Sequence, residues 1–394
     1  MLEQRDQIAI QKRLQSCMEK SGLDAMIIAS PEAIFYATGF ASQFLYQSNQ
    51  IGLTVAVVPK EGQITLICNE FERQTAVSSC KDINIVSYPV WIYIEDYAKE
   101  DEEDKPAQPD LNRTFRMAAE IIGSSYPNAK VGVESEKVSH SKWDYLQSVF
   151  PGDRLADCSA TLVESRMIKT PWEISVLRRA AEISEVAMYK TAREIVPGMT
   201  EADVMKLFKM NCQMQSSDVM DILQAHTVAS DFAPAIVPRH NRLHLGDVIR
   251  LDGGPIYCGY GADLARTFVL GTSTEKRREE IYASLWKGVE VAKKMLAPGL
   301  PLADLFRAIQ ATVKADIPGY KRGHHGHSIG CNRFTEEAPF ISGTETLTFQ
   351  PGMVFCLEMP YYSSKNHSYN IEDTFLITED GYEFFTHANQ SLYL

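Results

Sequence analysis

"DGGPIYCGYGADLARTF", residues 252–268, sets Asp252 and Asp263 eleven positions apart, with Gly253, Gly254, Gly259 and Gly261 between them. The flanking runs "GDVIRL" (246–251) and "ARTFVL" (265–270) are rich in apolar and β-branched residues, so the stretch reads as two antiparallel strands closed by a glycine-rich reversal. Facing positions on such a pair lie about 5 Å apart. Carboxylates held that close repel each other unless a proton or a cation lies between them. The glycines let the chain turn back while the strands aim both acids at one point, and a divalent cation makes that tolerable.

Two further acids sit in similar places. "PGMVFCLEMPYY" (351–362) puts Glu358 at the end of an apolar strand, and "HSYNIEDTFLITEDG" (367–381) puts Glu372 in another, among Ile371, Phe375 and Leu376. An acid with such neighbours is costly to bury unpaired. Between the two pairs of acids "KRGHHGHSIG" (321–330) holds His324, His325 and His327. Two aspartates, two glutamates and one imidazole form an oxygen-rich set that suits manganese, iron, cobalt or zinc in a two-metal site with bridging carboxylates. Such a pair of cations shares and acidifies a water, which is hydrolytic chemistry. Taken singly, each acid reads equally well as a turn or cap residue, and the histidines as loop decoration. The joint pattern is what points to metal.

The pattern also falls on a repeat. "VPGMTEADVMKLF" (196–208) and "APGLPLADLFRAI" (297–309) share a Pro-Gly stop, three residues, and Ala-Asp opening an amphipathic helix. Each precedes a strand-rich segment holding two of the acids. Pro-Gly ends helices in unrelated settings too, but the matching order of parts at an offset of about one hundred residues predicts a structural duplication.

Around this core the chain is too long, at 394 residues, for one hydrophobic core, so two domains are expected, 1–160 and 161–394. The second opens where Thr170, Pro171 and Glu173 spell a capped helix start, and that helix stops before Pro197-Gly198. In the first, a helical pattern over 7–22 precedes the strand-like runs "DAMIIAS", "LTVAVVP", "QITLICN" and "INIVSYPV", the alternation of an α/β domain. The acidic, proline-punctuated run 95–110 reads as a solvated loop. A formal charge of −12 provides no basic surface for a nucleic acid. No apolar run is long enough to span a bilayer, and the start "MLEQRDQIAIQKRLQ" is a charged helical pattern rather than a signal peptide. The expectation is a soluble cytoplasmic protein with neither nucleic-acid nor membrane partner. Eight scattered cysteines without a CxxC pair read as buried free thiols. Cys258 and Cys356 lie near the acids, where a redox role is the alternative.

At these residues the chain resembles the creatinase, prolidase, aminopeptidase P and methionine aminopeptidase superfamily, nearest to its Xaa-Pro peptidase-like members. The stretches that carry the resemblance are "LDGGPIYCGYGADLARTF", "GHHGHSIG", "PGMVFCLEMP" and "NIEDTFLIT", with "SRMIKTPWEI" at the domain junction and "LDAMIIASPEAIFYATGF" near the N-terminus. It implies a creatinase-like α/β N-terminal domain and an α+β pita-bread catalytic domain with an internal pseudo-twofold repeat. It also implies two divalent metal ions, manganese first and cobalt, zinc or iron after it, on Asp252, Asp263, His327, Glu358 and Glu372. Asp263 and Glu372 fall on the bridging positions, and Glu358 doubles as general base. The activity implied is hydrolysis of short Xaa-Pro peptides by a metal-bridging hydroxide, in a homodimer.

Three departures stand out. Relatives carry a histidine seventeen or eighteen positions before the first metal aspartate, where Ala235 or Pro234 stands here, and another seven residues after the metal histidine, where Phe334 stands. His240, His324 and His325 are the candidate replacements. Asn370 occupies a position where the proline peptidases often carry arginine. These departures keep open a non-peptidase enzyme on the same fold, a C–N hydrolase or lyase acting on an amino-acid derivative. The intact ligand set argues against a third reading, a non-enzymatic binding protein. In relatives the N-terminal domain narrows the pocket or completes a neighbour's, and Tyr36, Phe44, Tyr46, Trp91 and Tyr93 are candidates for that, against a plain packing role.

Overall fold

The computed structural model describes residues 4–48, 50–97, 108, 110, 112–216, 219–221, 227–231, 239–331 and 336–393. Two compact units divide the chain, Arg5–Arg166 and Met167–Leu394, the latter joined by Met1–Gln4. Most of the acidic run 95–110 lies outside the described residues. None of the described helices is long and apolar enough to cross a membrane.

The first unit is built on a six-stranded mixed sheet in the order Asn84–Tyr88, Thr65–Asn69, Val55–Pro59, Ala25–Ile28, Val131–Val133, Leu155–Asp157. Its central strands are apolar throughout because both faces are covered, and Ala25, Met26, Ile27 and Ile28 are all fully buried. One buried acid serves the fold itself. Glu134 accepts hydrogen bonds from the backbone N–H groups of Ala29 and Ser30 and from the Ser30 hydroxyl, where the helix Pro31–Thr38 begins. Tyr36 is buried, donating to the Ser165 carbonyl at 2.6 Å. Phe44 packs its ring 5.3 Å from Trp91, Tyr46 is half-buried, and Tyr93 is exposed.

The second unit opens as its sequence dictates. Helix α1 (Pro171–Glu194) starts at Thr170, whose hydroxyl accepts from the Glu173 N–H while the Glu173 carboxylate accepts from the Thr170 N–H at 2.8 Å, a reciprocal cap. Helix α2 is Glu201–Gln213, α3 Lys276–Met295 and α4 Leu302–Asp316. The sheet strands are β1 (Thr227–Ala229), β2 (Val248–Asp252), β3 (Ala265–Val269), β4 (His324–Ser328), β5 (Glu337–Ser342), β6 (Val354–Glu358), β7 (Glu372–Ile377) and β8 (Tyr382–Phe384). They pair antiparallel in the order β5-β4-β6-β7-β3-β2-β1, with β8 beside β7.

That order is palindromic by repeat. The first half contributes β1, β2, β3 and the second β4, β6, β7, so β3 and β7 meet at the centre. The backbone bonding repeats as well. Gly198 N–H donates to the Leu243 carbonyl at 2.8 Å and Leu243 N–H returns to Met199; Gly299 N–H donates to Phe349 at 2.8 Å and Phe349 N–H returns to Leu300. An isolated bridge joins Thr200 to Arg242 in one half and Pro301 to Thr348 in the other. The duplication expected from the two Pro-Gly segments is present in three dimensions.

Helices α3 and α4 pack on the sheet through a core that includes Leu285, Val289, Ile309 and Val313 with Phe355, Leu357, Phe375 and Ile377. Strand side chains alternate between faces. With Phe355 and Leu357 in the core, Cys356 and Glu358 face the other way, and Glu372 and Thr374 do the same on β7.

Candidate metal centre

On that second face the sheet register lines up two rows. In one, Glu358 is opposite Glu372, Glu372 opposite Ala265, and Ala265 opposite Asp252. In the other, His327 is opposite Cys356 and Cys356 opposite Thr374. Asp263, two residues before Ala265, extends this row: the Cys356 thiol and the Thr374 hydroxyl both reach its carbonyl oxygen at 3.4 Å. Two residues along a strand return to the same face, so both rows look into one space.

Asp252 and Asp263 are therefore not a directly facing pair, since Asp252 faces Ala265 and Asp263 comes from the neighbouring row. The reversal between them is more than a loop. Ile256–Tyr257 and Tyr260–Gly261 form a short hairpin that pairs with Val219–Asp221. Gly254 must be glycine, because a Cβ there would lie 2.6 Å from both the Cβ and the carbonyl oxygen of Ala262.

Carboxylate oxygens of Asp252, Asp263 and Glu372 lie within 4.8 Å of one another, and so do ligand atoms of His327, Cys356 and Glu372. His327 Nε2 is 3.8 Å from both Asp263 Oδ2 and Glu372 Oε1. Its Nδ1 is 3.0 Å from the Ser328 carbonyl. An N–H donated there leaves the Nε2 lone pair aimed at the acids, and burial keeps the ring neutral by lowering its pKa. Burial, and then Asp263, Asp252 and Glu358, push the Glu372 carboxyl well above its usual range. Asp252 is raised to about 6 by desolvation, even though the Arg250 guanidinium nearby pulls the other way. Desolvation, then Glu372 and Asp263, push the Cys356 thiol up as well. Crowded acids around a neutral imidazole are strained as anions and relieved by a divalent cation, so these residues fit a metal site.

Several other side chains tune the cluster. The Asn370 amide N–H₂ donates to Glu372 Oε2 at 3.1 Å and to Asp252 Oδ2 at 3.4 Å. Arg322 donates to Glu358 Oε1 at 2.9 Å, and His324 Nδ1 lies 3.1 Å from the same oxygen. Arg250 is fully buried, its Nε 3.8 Å from Asp252 Oδ2 and its guanidinium over the Tyr362 ring at 5.2 Å. Arg250 was within reach of sequence reasoning, because a strand residue two before Asp252 shares its face. Arg322, in a connecting segment, carried no such signal. Behind the sheet, Arg266 donates through Nη1 to the carbonyls of Ala265 and Glu372, the pair that joins the two halves, and through Nη2 to Glu185 and Asp373 at 2.6 and 2.8 Å.

The three candidate replacement histidines have separate fates. His324 joins the site, because β4 is irregular between His324 and His327. Gly326 makes this possible: its φ is +139°, and a Cβ there would come 1.9 Å from the Cys356 carbonyl oxygen. His325 must be withdrawn as a substrate contact. It points to the opposite side, fully buried, with Nε2 2.9 Å from Gln310 Oε1 on α4 and its ring stacked on Tyr320, and burial drops its pKa to about 3. His240 is exposed. The positions of the two expected histidines, 234 or 235 and 334, lie outside the described residues.

Comparison with known proteins agrees with this fold. Residues 11–168 match the creatinase/prolidase N-terminal domain, and residues 175–379 match metallopeptidase family M24. An Xaa-Pro dipeptidase of Lactobacillus delbrueckii subsp. lactis is 26% identical over 386 residues, covering 96% of this chain and 97% of its own. An uncharacterized peptidase of Staphylococcus aureus is 25% identical over 370 residues, 92% of this chain and 95% of its own. Among solved structures, an Xaa-Pro dipeptidase from Bacillus anthracis superposes with a TM-score of 0.79 at 21% identity, covering 98% and 99% of the two chains. The prolidase from Pyrococcus horikoshii OT3 gives 0.78 at 22%, covering 97% and 99%. These likenesses establish the creatinase-like plus pita-bread architecture. With more than half of its length matched by the family's catalytic model, the chain belongs to metallopeptidase family M24.

Proposed function

We propose that this chain is a dinuclear-metal-dependent hydrolase of the Xaa-Pro peptidase type, acting on short peptides. The observation that carries the reading is the pair of ligand rows on one sheet face. Asp252, Asp263, His327, Glu358 and Glu372 would hold two divalent cations, manganese first. Glu372 and Asp263 suit the bridging role, since each reaches both the Asp252 side and the His327 side of the cluster. When bound, such cations polarise a substrate oxygen and make water acidic enough to be a nucleophile near neutral pH.

The protein's own groups do the rest. Arg322 and His324 grip one oxygen of Glu358 and fix its rotation, so that the carboxylate takes the proton of the attacking water and returns it to the leaving amine. Asn370 orients Asp252 and Glu372 through its two N–H bonds. The Xaa-Pro preference is supported by the full-length likeness to the Lactobacillus enzyme. The same reading includes assembly as a homodimer, which sedimentation would test, and a cytoplasmic location, which cell fractionation would test.

One observation favours a second reading. Asn370 places a neutral carboxamide between two ligands where the proline peptidases often have a cation, which suits a hydrolase or lyase cleaving a C–N bond of a small amino-acid derivative. Turnover of an Xaa-Pro dipeptide panel with manganese or cobalt separates the two. Cleavage of at least one member supports the peptidase, and silence across the panel by metal-loaded protein favours the alternative.

A further inference from the structure

The ligand row that begins at His327 and ends at Asp263 contains a sulfur. Cys356 lies directly opposite His327, on the neighbouring strand, and is fully buried. Its Sγ lies with His327 and Glu372 in a group whose ligand atoms are within 4.8 Å of one another. The fold commits it there, because Phe355 and Leu357 on either side enter the apolar core and Cys356 must face the acids with Glu358. Its present polar contacts are weak, 3.4 Å to the Asp263 carbonyl and 3.8 Å to the Thr374 hydroxyl.

We propose that Cys356 is a sulfur ligand of the metal position nearest His327, completing an N,S,O donor set there, while the position nearest Asp252 keeps oxygen donors alone. This rests on the dinuclear reading above and deepens it. With His327 Nε2 and Glu372 Oε1 3.8 Å apart and the three ligand atoms within 4.8 Å of one another, small side-chain movements would let His327, Cys356 and Glu372 hold one cation together. On binding, the S–H bond gives way to a metal–sulfur bond and the proton leaves to solvent. Sulfur favours zinc or cobalt over manganese, whereas all-carboxylate oxygen sites suit manganese. The two positions are therefore unequal: the His327 side selects a softer ion than the Asp252 side.

The test is optical and needs no turnover. Metal-free full-length protein is titrated with cobalt(II) while absorption is recorded, alongside Cys356→Ser, Cys356→Thr and, as a control for cysteine outside the row, Cys258→Ser. The expected result is a sulfur-to-cobalt charge-transfer band in the near ultraviolet for the wild type and Cys258→Ser. That band is lost in both Cys356 variants, although they still bind two cobalt ions and keep the weaker visible bands. In competition, Cys356→Ser should also lower the preference for zinc over manganese by about tenfold or more, the scale on which even outer groups alter metal affinity. Two bound cobalt ions without the charge-transfer band would overturn the sulfur ligand and leave the dinuclear reading standing. Failure to bind cobalt at all would overturn both.

Discussion

Glu358 is held by two neighbours outside the ligand set. Arg322 and His324 converge on its Oε1 from 2.9 and 3.1 Å, while Glu372 faces it across the strand pair. Arg322→Met removes the stronger restraint without touching a proposed ligand. The expected outcome is a roughly 10–100-fold fall in kcat with metal content unchanged, checked by steady-state kinetics beside elemental analysis. His324→Gln should cost a similar factor if its imidazole only steadies Glu358, and about 10²–10⁴ if it also transfers protons. The pH profile distinguishes these, because only the second role removes a titrating limb.

At the scale of elements, the bulge in β4 decides which histidines serve the site. Strict alternation would put His325 and His327 on one face and His324 on the other, and the sequence offered His324 and His325 alike as candidates. The irregularity at Gly326 shifts the strand by a residue and exchanges His325 for His324. No pattern of apolar residues announces such a bulge. Glu358 and Glu372 were conspicuous for the opposite reason: an acid in an apolar strand stands out, and the alternation around both holds without interruption, whereas His327 was singled out from its neighbours by the family resemblance. Gly326→Ala should fail to form this bulge, given its φ and a backbone oxygen 1.9 Å from the added carbon. Loss of several kcal/mol of stability, or no folded protein, is expected in a denaturant melt. The junction of β3 and β7 makes a second prediction. Arg266→Met takes the cation from Glu185 and Asp373, leaving them neutral donors from Thr386, His387 and Ala388, and unclamps the carbonyls of Ala265 and Glu372, so a loss of about 3 kcal/mol is expected by the same measurement.

For the whole catalytic unit, the duplication explains why acids far apart in sequence meet. Two copies of a helix–helix–sheet unit join edge to edge through β3 and β7, which brings the ends of β2, β6 and β7 together with Asp263 just ahead of β3. The repeat was readable from two Pro-Gly segments, but the palindromic strand order was not, because it depends on pairing between residues a hundred positions apart. The joining has an energetic consequence. Without cations, Asp252, raised to about 6, and Glu372, raised well above its usual range, bind protons more tightly folded than unfolded. The Asp252 contribution to stability is complete below the ordinary aspartate value near 4 and is lost as pH rises through about 6, and Glu372 acts in the same direction. The gap in Tm between metal-loaded and chelated protein should therefore be wide at pH 7 and narrow at pH 5, as differential scanning calorimetry would show. A gap that widens on acidification would remove the crowded acids as its source.

The most direct test is to count divalent cations per chain by elemental analysis, in active wild-type protein and in Glu372→Ala. Two per wild-type chain, falling to one or none together with loss of turnover in the variant, is the expected result. A working enzyme without stoichiometric metal, or a Glu372→Ala chain that keeps two cations and full activity, would contradict a paired-cation site on these two rows.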